Sequence, residues 1–213
     1  MLALMEIDLR HCQLDYDSLK LLIQTCKKLR HFIFVNWSSF DDPLGPRSQI
    51  PLFHGADLLR PHQDTLEYLR IEFLEDRMLA WIGSFPKLPG EKMPSLRDFT
   101  VMVDLTVQFS LLTPHPEFSS SLKRLTITDC NTSILDMTYC IATDCKNGRY
   151  PELQAINVVF VNRLSLIDLR IYQARGKPFR SLRNLFKRTK VHYRIRCRSN
   201  RRMRGGDDLE EED

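Results

Sequence analysis

Apolar residues recur along the chain in one short frame, the second three positions after the first and the third two positions further on. The fullest copy is Leu122-Lys-Arg-Leu-Thr-Ile-Thr-Asp-Cys130, in which Leu125 and Ile127 alternate with polar neighbours. Alternation sets the apolar side chains on one face of a short strand and the polar ones on the other. Leu122 enters from the preceding turn, and Cys130 closes the bend that follows. Leu4, Ile7, Leu9 and Cys12 repeat the frame. Weaker copies are Leu29-x-x-Phe32-x-Phe34, Leu66-x-x-Leu69-x-Ile71, Leu96-x-x-Phe99-x-Val101 and Leu153-x-x-Ile156-x-Val158. The starts fall at 4, 29, 66, 96, 122 and 153, with spacings of 25, 37, 30, 26 and 31 residues.

The intervals between the frames carry helical spacing. Asp15-Tyr-Asp-Ser18 starts a helix whose face is Leu19, Leu22, Ile23 and Cys26, closed by Lys27 and Lys28. A short helix over Ala56 to Arg60 is ended by Pro61, and others centre on Met78, Leu79 and Ile82, then on Phe109 to Leu112. Ile134, Ile141 and Cys145 share a face, stopped by Gly148 and Pro151. Leu164, Ile167 and Ile171 share another, and Leu182, Leu185, Phe186 and Thr189 a last one. Asn36 to Pro51, rich in Ser, Asp, Pro and Gly, is an irregular insertion. Val191, Tyr193 and Ile195 alternate with His192, Arg194 and Arg196 and predict a basic edge strand.

Strand, turn, helix and next strand make one unit of a leucine-rich repeat. Chance strands are the alternative, but the recurrence accounts for most of the chain. The expected fold is therefore α/β: a leucine-rich-repeat solenoid, or horseshoe, of about six irregular repeats. Its parallel strands line the concave face and its helices lie outside. The repeat domain covers residues 1–198, and residues 199–213 form a disordered tail, basic then acidic.

In such a solenoid the residues between the core positions face the concave surface. They are Asp8, Arg10, His31, Ile33, Tyr68, Arg70, Glu72, Asp98, Thr100, Arg124, Thr126 and Asn157. The mixture of charges with Tyr68 suits a protein partner, so Asp8, Arg10, His31, Tyr68, Arg70, Glu72, Asp98, Arg124, Thr126 and Asn157 are the candidate binding residues.

Composition narrows the function further. With 43% hydrophobic and 27% charged residues and a net charge of +4, the whole chain is no strong polyanion binder. No acid falls between Asp168 and Asp207, where fourteen Arg and Lys residues stand. That end could bind nucleic acid or an acidic partner, but a solvated end cap answered by the acidic tail is the preferred reading. The six cysteines come without a signal peptide, and no apolar run has the length of a membrane span. An intracellular setting, cytoplasmic or nuclear, with reduced, structural thiols is expected, and no membrane association. Cys140-x4-Cys145 with Cys26 and His31 lacks zinc-site spacing. The six histidines are scattered and no catalytic frame occurs. Neither catalytic residues, nor a cofactor, nor a metal is expected.

Leu122 to Cys130 followed by Asn147-Gly-Arg-Tyr-Pro-Glu-Leu153, together with His62-Gln-Asp-Thr-Leu-Glu-Tyr-Leu69 and Ser95-Leu-Arg-Asp-Phe99, resembles fungal F-box and leucine-rich-repeat proteins. The resemblance covers roughly residues 2 to 196. It implies the substrate-recognition repeats of a receptor subunit of a cullin-type ubiquitin ligase, holding a protein substrate on the concave face. The frames begin at once, so no F-box is expected in this sequence. Binding of the ligase adaptor would require an F-box upstream and is not carried over.

Overall fold

A computed structural model describes residues 4–10, 12, 14, 16–38, 58–75, 93, 95–130, 133–160 and 178–197. Seven strands form a single open sheet, every pair parallel, with spatial order equal to chain order. They are β1 (Glu6–Arg10), β2 (His31–Ser38), β3 (Tyr68–Glu75), β4 (Asp104–Gln108), β5 (Arg124–Cys130), β6 (Ala155–Phe160) and β7 (His192–Cys197). Among the described residues, three full-length helices accompany them: α1 (Tyr16–Thr25), α2 (Ile134–Lys146) and α3 (Pro178–Lys187). A parallel pair needs a crossover from the end of one strand to the start of the next. Repeating that step without reordering gives a solenoid-like α/β arrangement.

The frames explain the register. Ile7, Phe32, Leu69, Leu105, Leu125, Ile156 and Tyr193 lie side by side across the sheet. So do Leu9, Phe34, Ile71, Val107, Ile127, Val158 and Ile195, two positions on. Both rows enter one core with Leu19 and Ile23 of α1, Ile134 and Ile141 of α2, and Leu182 and Phe186 of α3. A one-residue slip in any strand would turn its apolar set out of this core, so the pattern fixes the pairing.

A backbone device repeats at each strand entrance. The carbonyl of Met5 accepts the N–H groups of Arg30 and His31 at 2.8 and 3.0 Å. Arg30 accepts in the same way from Glu67 and Tyr68, Glu67 from Val103 and Asp104, Val103 from Lys123 and Arg124, and Lys123 from Gln154 and Ala155. Gln154 accepts from His192 at 2.7 Å. The entrance to β2 is tied to α1 by a side chain as well. His62 is buried, with Nε2 3.1 Å from the Ile23 carbonyl and Nδ1 3.5 Å from the Leu29 N–H. The carbonyl can only accept and the N–H only donate, so the ring carries its proton on Nε2.

Three expectations are corrected. The fourth frame does not begin at Leu96: residues 97–101 make turns, and β4 starts at Asp104. Met102, Leu105 and Val107 are the frame residues, six positions later than expected. Leu96 and Phe99 are buried as expected, but as turn residues beneath the sheet. Leu58 and Leu59 are helical as expected, but Pro61 does not close the helical stretch. It stands inside a 3-10 turn, Arg60–His62, near its start, where its missing N–H costs nothing. The stretch Phe109–Leu111 is a single 3-10 turn rather than a helix. Most of the Asn36 to Pro51 insertion, the helices expected near Met78 and Leu164, and the tail lie outside the described residues.

Cys130 sits on the end of β5, pairing with Phe160 across a register shift after Ile127. Asp129 takes φ +52°, a left-handed conformation uncommon for a residue with a side chain. That extra residue turns Cys130 inward, where it is buried and its thiol donates to the Ile127 carbonyl at 3.2 Å. Cys12, expected at the equivalent bend, is only half-buried.

Candidate functional site: the outward face of the sheet

The alternate residues of the seven strands form three outward rows. The first holds Glu6, His31, Tyr68, Asp104, Arg124, Ala155 and His192. The second holds Asp8, Ile33, Arg70, Thr106, Thr126, Asn157 and Arg194. All fourteen are exposed or half-exposed. The third row is different. Val35, Glu72, Gln108 and Thr128, central in that row, are 5, 1, 4 and 3% exposed. The open part of the face is therefore its strand-entrance half.

The charged groups on the β1 to β5 part of this face are paired locally. Arg10 forks onto Asp8, with Nε and Nη2 2.8 and 2.9 Å from the two carboxylate oxygens. That bond, helped by the Asp8 charge, raises the Arg10 guanidinium above its ordinary range. Arg124 holds Asp104 on the neighbouring strand at 2.7 Å. His31 lies edge-on to Tyr68, centroids 6.0 Å apart, and 3.8 Å from the Glu6 carboxylate. The Asn157 amide donates to the Thr126 hydroxyl at 3.3 Å. Arg70 reaches back to the buried Glu72 at 3.4 Å, while its Nε is buried without a partner. Another buried group of the face, the Thr128 hydroxyl on β5, is also unsatisfied.

Nine of the ten sequence-derived residues thus belong to one sheet face, and one does not. Asp98 lies in the turn before β4, exposed and off the ladder. Asp104 takes the place assigned to it, because the fourth frame begins at Met102. Thr100 leaves the face for the same reason and donates to Asp64 at 3.2 Å. Glu72 is on the face but inaccessible, so it supports Arg70 instead of meeting a partner. Sequence reasoning missed Glu6, Asp104, Thr106 and Ala155. The same alternation gives all four, and only Asp104 and Thr106 needed the later start of the fourth frame.

Among the described residues, no group of three His, Cys, Asp or Glu side chains is placed to hold a metal ion. No helix among them is long and apolar enough to cross a membrane. Burial pushes the Cys145 thiol up to about 11 and raises those of Cys26 and Cys130. These are poor nucleophiles at neutral pH, since the thiolate is the reactive form. Compared with family models, with curated proteins and with solved structures, the chain matches none.

Proposed function

We propose that this chain is a non-enzymatic protein-interaction module built as a leucine-rich-repeat solenoid. Its first two outward rows hold a protein substrate, in the manner of the substrate-recognition repeats of F-box ubiquitin-ligase receptors. The observation that carries the reading is the unbroken run of outward positions across seven in-register strands, with Tyr68 and His31 standing among fixed ion pairs. A rigid parallel sheet presents such residues at strand spacing with little entropy left to lose on binding. The half-exposed aromatic pair provides the anchor, and the paired charges provide register and selectivity.

The test is affinity capture with variants of this face. Tyr68→Ala with Arg124→Glu should reduce capture of a specific partner at least roughly tenfold, the cost of one well-placed anchor. Lys27→Glu with Lys28→Glu, on exposed positions just past α1, should not. Arg70 is a poorer choice for reversal, because it is tied to a buried carboxylate. Equal losses from both variants would assign binding to bulk charge and defeat the proposal.

A second reading places nucleic acid or an acidic protein on the basic end. It is favoured by His192, Arg194 and Arg196, all outward and exposed on β7, with Lys187, Arg188 and Lys190 exposed nearby. Binding of that kind would weaken steeply with salt and show little sequence preference.

A further inference from the structure

The terminal strands repeat the interior frame but leave it half covered. Phe34, Ile71, Val107, Ile127 and Val158 are between 0 and 6% exposed. Their counterparts Leu9 on β1 and Ile195 on β7 are only partly buried, and so is Tyr193. Leu4 and Met5, just before β1, and Leu21 on α1 are 37, 53 and 65% exposed. Among the described residues, no strand pairs with the outer side of β1 or of β7. Open edges of this kind are templates for a further strand.

The two edges are also complementary to each other. Carrying the register one step past β7 sets Ile7 beside Tyr193 and Leu9 beside Ile195. It sets Glu6 opposite His192 and Asp8 opposite Arg194. The third pair, Arg10 and Arg196, is like-charged; with Asp8 shared between Arg10 and Arg194, the β1 edge still sets two acids and one base against two arginines and a histidine on β7. The backbone device fits as well. At five of the six entrances the carbonyl preceding a strand accepts two N–H groups at the start of the next one, and at β7 it accepts one, from His192. On β7 that carbonyl belongs to Val191, and on β1 those N–H groups belong to Met5 and Glu6.

We infer that copies of this chain associate head to tail, β1 of one copy adding to β7 of the next and continuing the parallel sheet. The contact joins two different surfaces, so it can repeat along a row of copies. It leaves the outward face open and does not depend on what that face binds.

Sedimentation velocity on the full chain tests this over a range of concentrations. The expected result is an average mass that rises with concentration. Asp8→Arg or Arg194→Asp alone should weaken association roughly tenfold or more, because like charges then meet across the seam. An equimolar mixture of the two variants should recover it, since each carries the end that the other needs. Circular dichroism establishes that each variant is folded. If one is not, Glu6→Arg and His192→Glu make the same test on the adjacent row. A monomer at every concentration overturns the inference. So does association that ignores both substitutions, or that is lost in both and does not return on mixing.

Discussion

At the scale of single residues, the thiols couple the fold to pH. Burial, with the Asp144 carboxylate adding to it, moves Cys145 from 9.0 in the unfolded chain to about 11 in the folded one. Below pH 9 both states keep the proton, so this group makes no pH-dependent difference. Between pH 9 and about 11 only the unfolded chain releases it, and stability must fall as pH rises. Cys130 is raised by the same cause, as are the hydroxyls of Tyr150 and Tyr193, and they extend the fall upward. The urea midpoint is expected to decline from pH 9 to pH 10.5, and less steeply in Cys145→Ala than in the parent. Equal slopes would mean that the thiol is open to water. The side chains of the candidate face were mostly legible at this scale, since alternation alone assigns them. Burial of Glu72 was not. Nothing in a strand's own pattern says that its third outward position will be covered.

At the scale of elements, β4 is the instructive case. Leu96, Phe99 and Val101 imitate the frame because a turn that packs beneath a sheet also buries residues three apart. Leu96 and Phe99 are indeed buried, at 2 and 4% exposure. What distinguishes the true strand is its continuation: Leu105 and Val107 alternate with Asp104, Thr106 and Gln108 over the whole element. A pair of substitutions separates the two frames. Val107→Asp places a carboxylate in the core and is expected to abolish folding, since an unpaired buried charge costs several kcal/mol or more. Val101→Asp, at a half-buried turn position, is expected to leave a folded protein with a loss on the order of 1 kcal/mol. Thermal denaturation followed by circular dichroism checks both, and the opposite ranking would restore the Leu96 frame. The helices fared unevenly for a related reason. α1 and α2 show full amphipathic faces that declare them, whereas Phe109 to Leu111 has too few turns to favour a helix over a 3-10 turn.

At the scale of the whole molecule, each described strand pairs only with the described strands before and after it in the chain. Parallel order with neighbour-only pairing was legible as soon as the frames were seen to repeat, because a sequence repeat is a repeat of contacts. Which outer surface meets another molecule was not, because it depends on how far the rows are covered. The strand order also has a mechanical consequence. Tension applied between β1 and β7 acts across the strands, along the hydrogen bonds, and loads one seam at a time. A sheet sheared lengthwise resists with many bonds together, but this one should open like a zip, giving up its end strands at low force while the middle holds. Optical-trap records on handles attached to those two strands are expected to show a series of small, separate extensions rather than one large rip.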